Sequence, residues 1–135
     1  MLQSFQKLVD IARTLRGPDG CPWDKSRTII SLQKDFMEEA EEVRQALEKE
    51  DYANLREELG DLLLHIVLQA QIANEEEIFN INDVIQGIHS KLVRRHPHVF
   101  GSKNKDVENA HDVKNLWEKL KNKEKNKKKE ESYLS

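Results

Sequence analysis

A short pattern of acids and apolar residues, written twice between Phe36 and Ile66, constrains this chain more than any other feature. Phe36, Ala40, Val43 and Leu47 fall at offsets 0, 4, 7 and 11, and Leu55, Leu59, Leu62 and Ile66 repeat those offsets. That spacing marks one apolar face of an α-helix, so two helices are predicted, one reaching about Lys49 and one running from about Tyr52 to Asn74. Glu39 and Glu42 take offsets 3 and 6 of the first run, and Glu58 and Asp61 take offsets 3 and 6 of the second. At about 100° per residue each acidic pair spans roughly 60°, beside its apolar stripe rather than opposite it. The turn from Lys49 to Asn54 is short enough to make the helices antiparallel neighbours, which would bring the carboxylates of Glu39, Glu42, Glu58 and Asp61 together.

Two readings of that convergence compete. Glutamate is a good helix former, and in a chain with 35% charged residues an EExxE run is commonly a solvated face. The second acidic edge, however, continues into His65, Leu68 and Ile72, and the helix is apolar nearly all round from Leu62 to Ala73, as a central bundle helix is. Asp61 would then enter packed protein, where clustered anions lose hydration and repel unless a cation sits among them. A hard divalent ion is the usual occupant of an all-oxygen site, Mg²⁺ above all, with Mn²⁺ as a substitute.

A length of 135 residues fits one domain, predicted to be an all-α bundle of about five helices. Only 37% of residues are hydrophobic, yet they are gathered into periodic blocks, which suits a bundle completed by oligomerisation, most simply as a homodimer. The net charge of −3 offers no global attraction to nucleic acid or anionic membrane. A single cysteine, Cys21, suits a reducing cytoplasm. The amphipathic start MLQSFQKLVDIARTLRG is unlike a secretory signal, and no apolar run reaches membrane-spanning length.

In chain order, Leu2, Phe5, Leu8, Val9, Ala12 and Leu15 predict a first helix that Gly17-Pro18 stops. The stretch GPDGCPWD from Gly17 to Asp24 is a turn-rich loop whose Trp23 either plugs the bundle or walls a ligand pocket. Lys25 and Arg27 are ordinary solvent charges, or a basic pair that meets a substrate phosphate. Thr28 or Ser26 can cap the second helix. Beyond an acidic turn from Glu75 to Asn80, a fourth helix starts at Asn82 or Asp83, turns Val84, Ile85, Ile88 and Leu92 to the core, and stops before His96-Pro97. Lys91, Arg94 and Arg95 in its last turn answer the helix dipole, or clamp a phosphate. VFGSKNKDVE reads as a loop, and Val113, Leu116, Trp117 and Leu120 predict a fifth helix. The lysine-rich end, residues 122–135, is predicted to be a disordered solubilising tail. His111-Asp112 looks like a fragment of a metal phosphohydrolase motif but stands alone.

Taken together, LRGPDGCPWD (Leu15 to Asp24), EEAEE (Glu38 to Glu42), LREELGDLLL (Leu55 to Leu64) and KLVRRHPHVFG (Lys91 to Gly101) resemble the MazG family of nucleoside triphosphate pyrophosphohydrolases, an all-α group. The resemblance covers residues 1–121 and implies Mg²⁺-dependent hydrolysis of a nucleoside triphosphate to the monophosphate and pyrophosphate. It places the family's EExxE element on Glu38, Glu39 and Glu42, its ExxD element on Glu58 and Asp61, its nucleotide-contacting basic stretch on Lys91 to Arg95, and the tryptophan that heads its last helix on Trp117. With the metal cage assigned to Glu39, Glu42, Glu58 and Asp61, Glu38 becomes the candidate general base, roughly 40° and 100° round the helix from Glu42 and Glu39. Trp117 or Trp23 would stack on the base.

Two other classes use similar ingredients. A ferritin-like iron protein needs Glu-x-x-His at its metal, whereas here Asp61 precedes His65 by a full turn. A non-enzymatic helical module would use the acidic edges to bind a basic partner.

Overall fold

Leu2–Leu15 forms α1, ending where Gly17-Pro18 forbids another turn. The chain then folds back on that helix end: the Cys21 amide donates to the Leu15 carbonyl at 2.8 Å. Gly20 is needed there, because a Cβ at this position would lie 2.2 Å from the Leu15 oxygen. A short α2, Pro22–Ser26, lies within the segment read as loop, with Pro22 at a first-turn position where its missing N–H costs nothing. The computed structural model describes residues 1–101 and 107–134, and among the described residues the chain is helix, turn and loop.

The cap expected from Ser26 or Thr28 takes a different form. Thr28 and Ser31 exchange side-chain and backbone hydrogen bonds of 2.9 and 3.0 Å, and α3, Leu32–Glu48, starts beyond them. Glu50, with φ of 51°, reverses the chain, and the Asp51 side chain accepts from the Asn54 amide to open α4, Tyr52–Glu75. A second reversal uses Glu77, with φ of 59°. Asn80 and Asp83 then bond reciprocally at 2.9 Å to begin α5, Ile81–Arg95, slightly earlier than predicted. Pro97–Phe100 is a single-turn α6. Asn109 and Asp112 cap α7, Ala110–Leu134, which accounts for the acid of His111-Asp112. Within VFGSKNKDVE, residues 102–106 lie outside the described residues.

The chain divides into two compact units, Met1–Val84 and Ile85–Ser135. In the first, α3 and α4 form the antiparallel hairpin, α1 packs on α4, and the core gathers Val9, Ala12, Leu32, Val67, Leu68 and Ile72. Burial is therefore concentrated in the second half of α4, while Leu59, Leu63 and Ile66 of its first half stay 38–48% exposed. Two neighbours cannot cover a helix that is apolar all round. The fourth predicted stripe is corrected in the same sense: Val84, Ile85, Ile88 and Leu92 are all exposed.

In the second unit, the lysine-rich segment predicted to be disordered continues α7 as helix as far as Leu134. Lysine and glutamate are strong helix formers, and a helix already nucleated and capped at Asn109 extends through them without needing an apolar face. No helix in the described residues is long and apolar enough to cross a membrane.

Candidate active site

Antiparallel pairing of α3 and α4 brings the two acidic edges face to face. Glu39, Glu42, Glu58 and Asp61 each offer a carboxylate oxygen, and the four atoms lie within 4.8 Å of one another. Glu39 and Glu58 are half-buried, and the Oε2 atom of each is shut from solvent with no hydrogen-bond donor, whereas Glu42 and Asp61 are exposed, so Asp61 lies at the rim and not in packed protein as its helix pattern predicted. A shielded carboxylate oxygen without a donor is costly, and like charges at this range add to the cost. Burial, followed by the charges of Glu42 and Asp61, raises the Glu39 pKa. A proton shared with the Glu42 carboxyl, with burial and neighbouring charge behind it, pushes Glu58 up to about 7. An all-oxygen set of this kind fits a hard divalent cation, and no nitrogen or sulfur donor joins it among the described residues. His65 instead packs edge-on to Phe36, ring centroids 6.4 Å apart, one turn beyond Asp61.

Glu38 is exposed beside Glu39 and is not among the four converging acids. Trp23 is 64% exposed, which overturns its reading as a plug, and the Arg27 guanidinium lies 4.8 Å over its ring. Arg27 also pairs with Asp35, one turn before Glu39 on α3. Lys25 donates to the Pro18 carbonyl at 3.1 Å.

In the second unit, Lys91 is exposed, whereas Arg94 and Arg95 both bond to Glu124. Arg95 also lies 5.3 Å over the half-buried Trp117 ring.

Sequence reasoning missed Arg16 and Glu124. Arg16 is 8% exposed and donates to the Asp24 and Arg27 carbonyls and, in a fork at 2.8 and 3.1 Å, to Glu75 at the end of α4. It ties the GPDGCPWD loop to the core. The only advance signal was its place inside LRGPDGCPWD, next to a loop too short to satisfy its own carbonyls.

Residues 27–100 match the family model described as the MazG nucleotide pyrophosphohydrolase domain. The chain belongs to the MazG family. The matched span contains all four converging acids and Lys91 to Arg95, and Trp23 and Trp117 fall outside it. Similar proteins include the uncharacterized protein YabN of Bacillus subtilis, 48% identical over 93% of this chain and 25% of its own. The nucleoside triphosphate pyrophosphohydrolase of Escherichia coli K12 is 42% identical over 98% of this chain and 50% of its own. The nucleoside triphosphate pyrophosphohydrolase/pyrophosphatase MazG of Thermotoga maritima is 44% identical over 93% of this chain and 47% of its own. The chain thus spans half or less of the length of these relatives. Among solved structures, a mazG-related protein from Thermotoga maritima superposes with a TM-score of 0.70 at 30% identity, covering 87% of this chain and 98% of that one. This agrees with the all-α MazG reading.

Proposed function

We propose that this MazG chain hydrolyses nucleoside triphosphates, ribo or deoxy, between the α and β phosphates, giving the monophosphate and pyrophosphate with Mg²⁺ as cofactor and Mn²⁺ as a substitute. The observation that carries the reading is the meeting of four carboxylate oxygens within 4.8 Å, two of the residues having an oxygen with neither solvent nor donor. Glu39, Glu42, Glu58 and Asp61 hold the ion. Bound there, Mg²⁺ supplies charge to the phosphate oxygens as the bond to the leaving pyrophosphate breaks. Glu38 is the base: an Oε takes the proton of the water whose oxygen adds to the α-phosphorus, and the electron pair of the broken P–O bond leaves with pyrophosphate. Lys91, Arg94 and Arg95 neutralise the β and γ phosphates, Trp117 or Trp23 stacks on the base, and Lys25 adds positive charge. Recognition through metal, phosphate and a flat ring gives loose base selectivity, in keeping with nucleotide-pool housekeeping in the cytoplasm.

The hydrolase domain is residues 1–121, and a second copy of the chain completes it as a dimer. The exposed apolar rows of α4 (Leu59, Leu63, Ile66) and α5 (Ile85, Ile88, Leu92) support that assembly. Light scattering showing an active monomer would remove it. For the reaction, a panel of triphosphates is incubated with Mg²⁺ and the products separated: monophosphate plus pyrophosphate is expected, and diphosphate plus phosphate from every member, or no turnover, refutes the assignment.

A further inference from the structure

Glu124 lies three positions beyond the proposed domain limit, in a segment that composition alone would treat as a solubilising end. Among the described residues of the second unit it is nevertheless the acid with the most side-chain partners. Its Oε2 accepts from Arg95 Nε at 3.2 Å and Nη2 at 2.7 Å, and its Oε1 accepts from Arg94 Nε at 2.6 Å. The Glu124 side chain is 22% exposed and that of Arg95 12%, so water and salt screen this pair less than they would a fully exposed one. Trp117, seven residues earlier on α7, carries the Arg95 guanidinium over its ring, and the Lys121 ammonium lies 4.8 Å from the same ring. The two arginines hold the Glu124 carboxyl well below its usual range, at about 2, so it is an anion at any working pH.

The Nε and Nη2 edge of a guanidinium is the edge that takes two oxygens of an oxyanion side by side. In this structure Glu124 occupies that edge of Arg95 and the Nε of Arg94 together. A phosphate group seeking the same donors must therefore displace the carboxylate, and the carboxylate, tethered to the same chain, competes at an effective concentration on the order of millimolar.

We propose that Glu124 is an internal counter-anion: it yields Arg94 and Arg95 to the pyrophosphate end of the substrate and retakes them after cleavage, so that pyrophosphate leaves. This rests on the reading that those arginines bind phosphate. Glu124 is a positioning residue that acts through the arginines. It lowers affinity for the ligand that depends on them and shortens that ligand's stay.

The test is direct calorimetric binding of inorganic pyrophosphate, with Mg²⁺, to the full chain, alongside pyrophosphate inhibition of turnover. Glu124→Gln keeps the shape and removes the charge, and should bind pyrophosphate about two- to fivefold tighter, the upper part of the range that a single ion pair spans. Glu124→Ala, a stronger helix former, must move in the same direction, and far-UV dichroism reports that α7 persists in both. Glu124→Asp, which keeps the charge, should stay close to the parent. Arg95→Ala should weaken binding severalfold. Pyrophosphate binding unchanged in Arg95→Ala removes the phosphate reading and the proposal with it. Weaker binding in Arg95→Ala, with equal or weaker binding in both charge-free Glu124 variants, overturns the counter-anion role alone and leaves the arginine site standing.

Discussion

Replacing Glu39 by glutamine should stabilise the metal-free protein and destabilise the same protein in Mg²⁺. Two like unit charges 4.8 Å apart repel by about 0.9 kcal/mol in a water-like dielectric, and more where water is excluded. Glu39 feels two such neighbours, Glu42 and Asp61, so Glu39→Gln should relieve about 1–2 kcal/mol once screening and partial exposure are allowed for. For a domain of this size that is an upward shift in Tm of roughly 3–8 °C in chelator at low salt. With Mg²⁺ at about 100 times Kd the parent gains about 2.7 kcal/mol by mass action, while the variant, lacking one ligand, gains much less. The two melting curves should therefore change order when Mg²⁺ replaces chelator. Differential scanning fluorimetry of both proteins, with Glu57→Gln as a neighbouring control outside the cluster, measures it. A Glu39→Gln protein less stable than the parent in chelator, or one that keeps the full Mg²⁺ shift, refutes the view that these acids repel one another until a cation arrives.

Glu39→Ala and Asp61→Ala should each lower turnover at least 100-fold with far-UV dichroism unchanged, and retained activity in both would displace the cage from these residues. The raised Glu58 carboxyl sets a pH dependence: between its ordinary value near 4.5 and about 7 the folded cluster binds more protons than the unfolded chain. Stability without metal should therefore be greatest at the acid end of that window and fall as pH rises through it, while Mg²⁺ affinity rises; melts and Mg²⁺ titrations across the window read both slopes. Arg16→Ala leaves the Asp24 and Arg27 carbonyls and Glu75 without their shared donor and should cost about 2–4 kcal/mol in urea unfolding. Gly20→Ala forces a Cβ against the Leu15 carbonyl and should lower Tm by several degrees, read in the same melts.

The α3–α4 hairpin and its acids were legible because two periodicities on one helix, apolar and acidic, leave few ways to pair the helices, and the acids follow at a fixed angle even though Leu47, Leu59 and Ile66 of the apolar stripes stay exposed. The stop at Gly17-Pro18 was legible for a similarly local reason, whereas the Asp51 cap emerged only in the structure. Periodicity says that a face is apolar, not that anything covers it, so the exposed rows at Ile85, Ile88 and Leu92 were read as core. Trp23 misled because a large aromatic in a proline-rich loop has no period to orient it, and its partner Arg27 lies in the next segment. Arg16 and Glu124 were illegible for a further reason. Their partners lie 59 and 29–30 positions away, and no local rule chooses among 22 basic and 25 acidic residues.

All four converging acids come from one hairpin, and the turn that closes it depends on a single positive φ at Glu50 and the Asp51 cap. Contacts so near in sequence need little loop closure, so this corner can assemble early, ahead of the docking of α1. Mg²⁺ would then act as a folding template as well as a cofactor: by binding the nascent hairpin it should speed refolding, not merely slow unfolding. A glycine at Glu50, free of the left-handed penalty, should quicken that closure further.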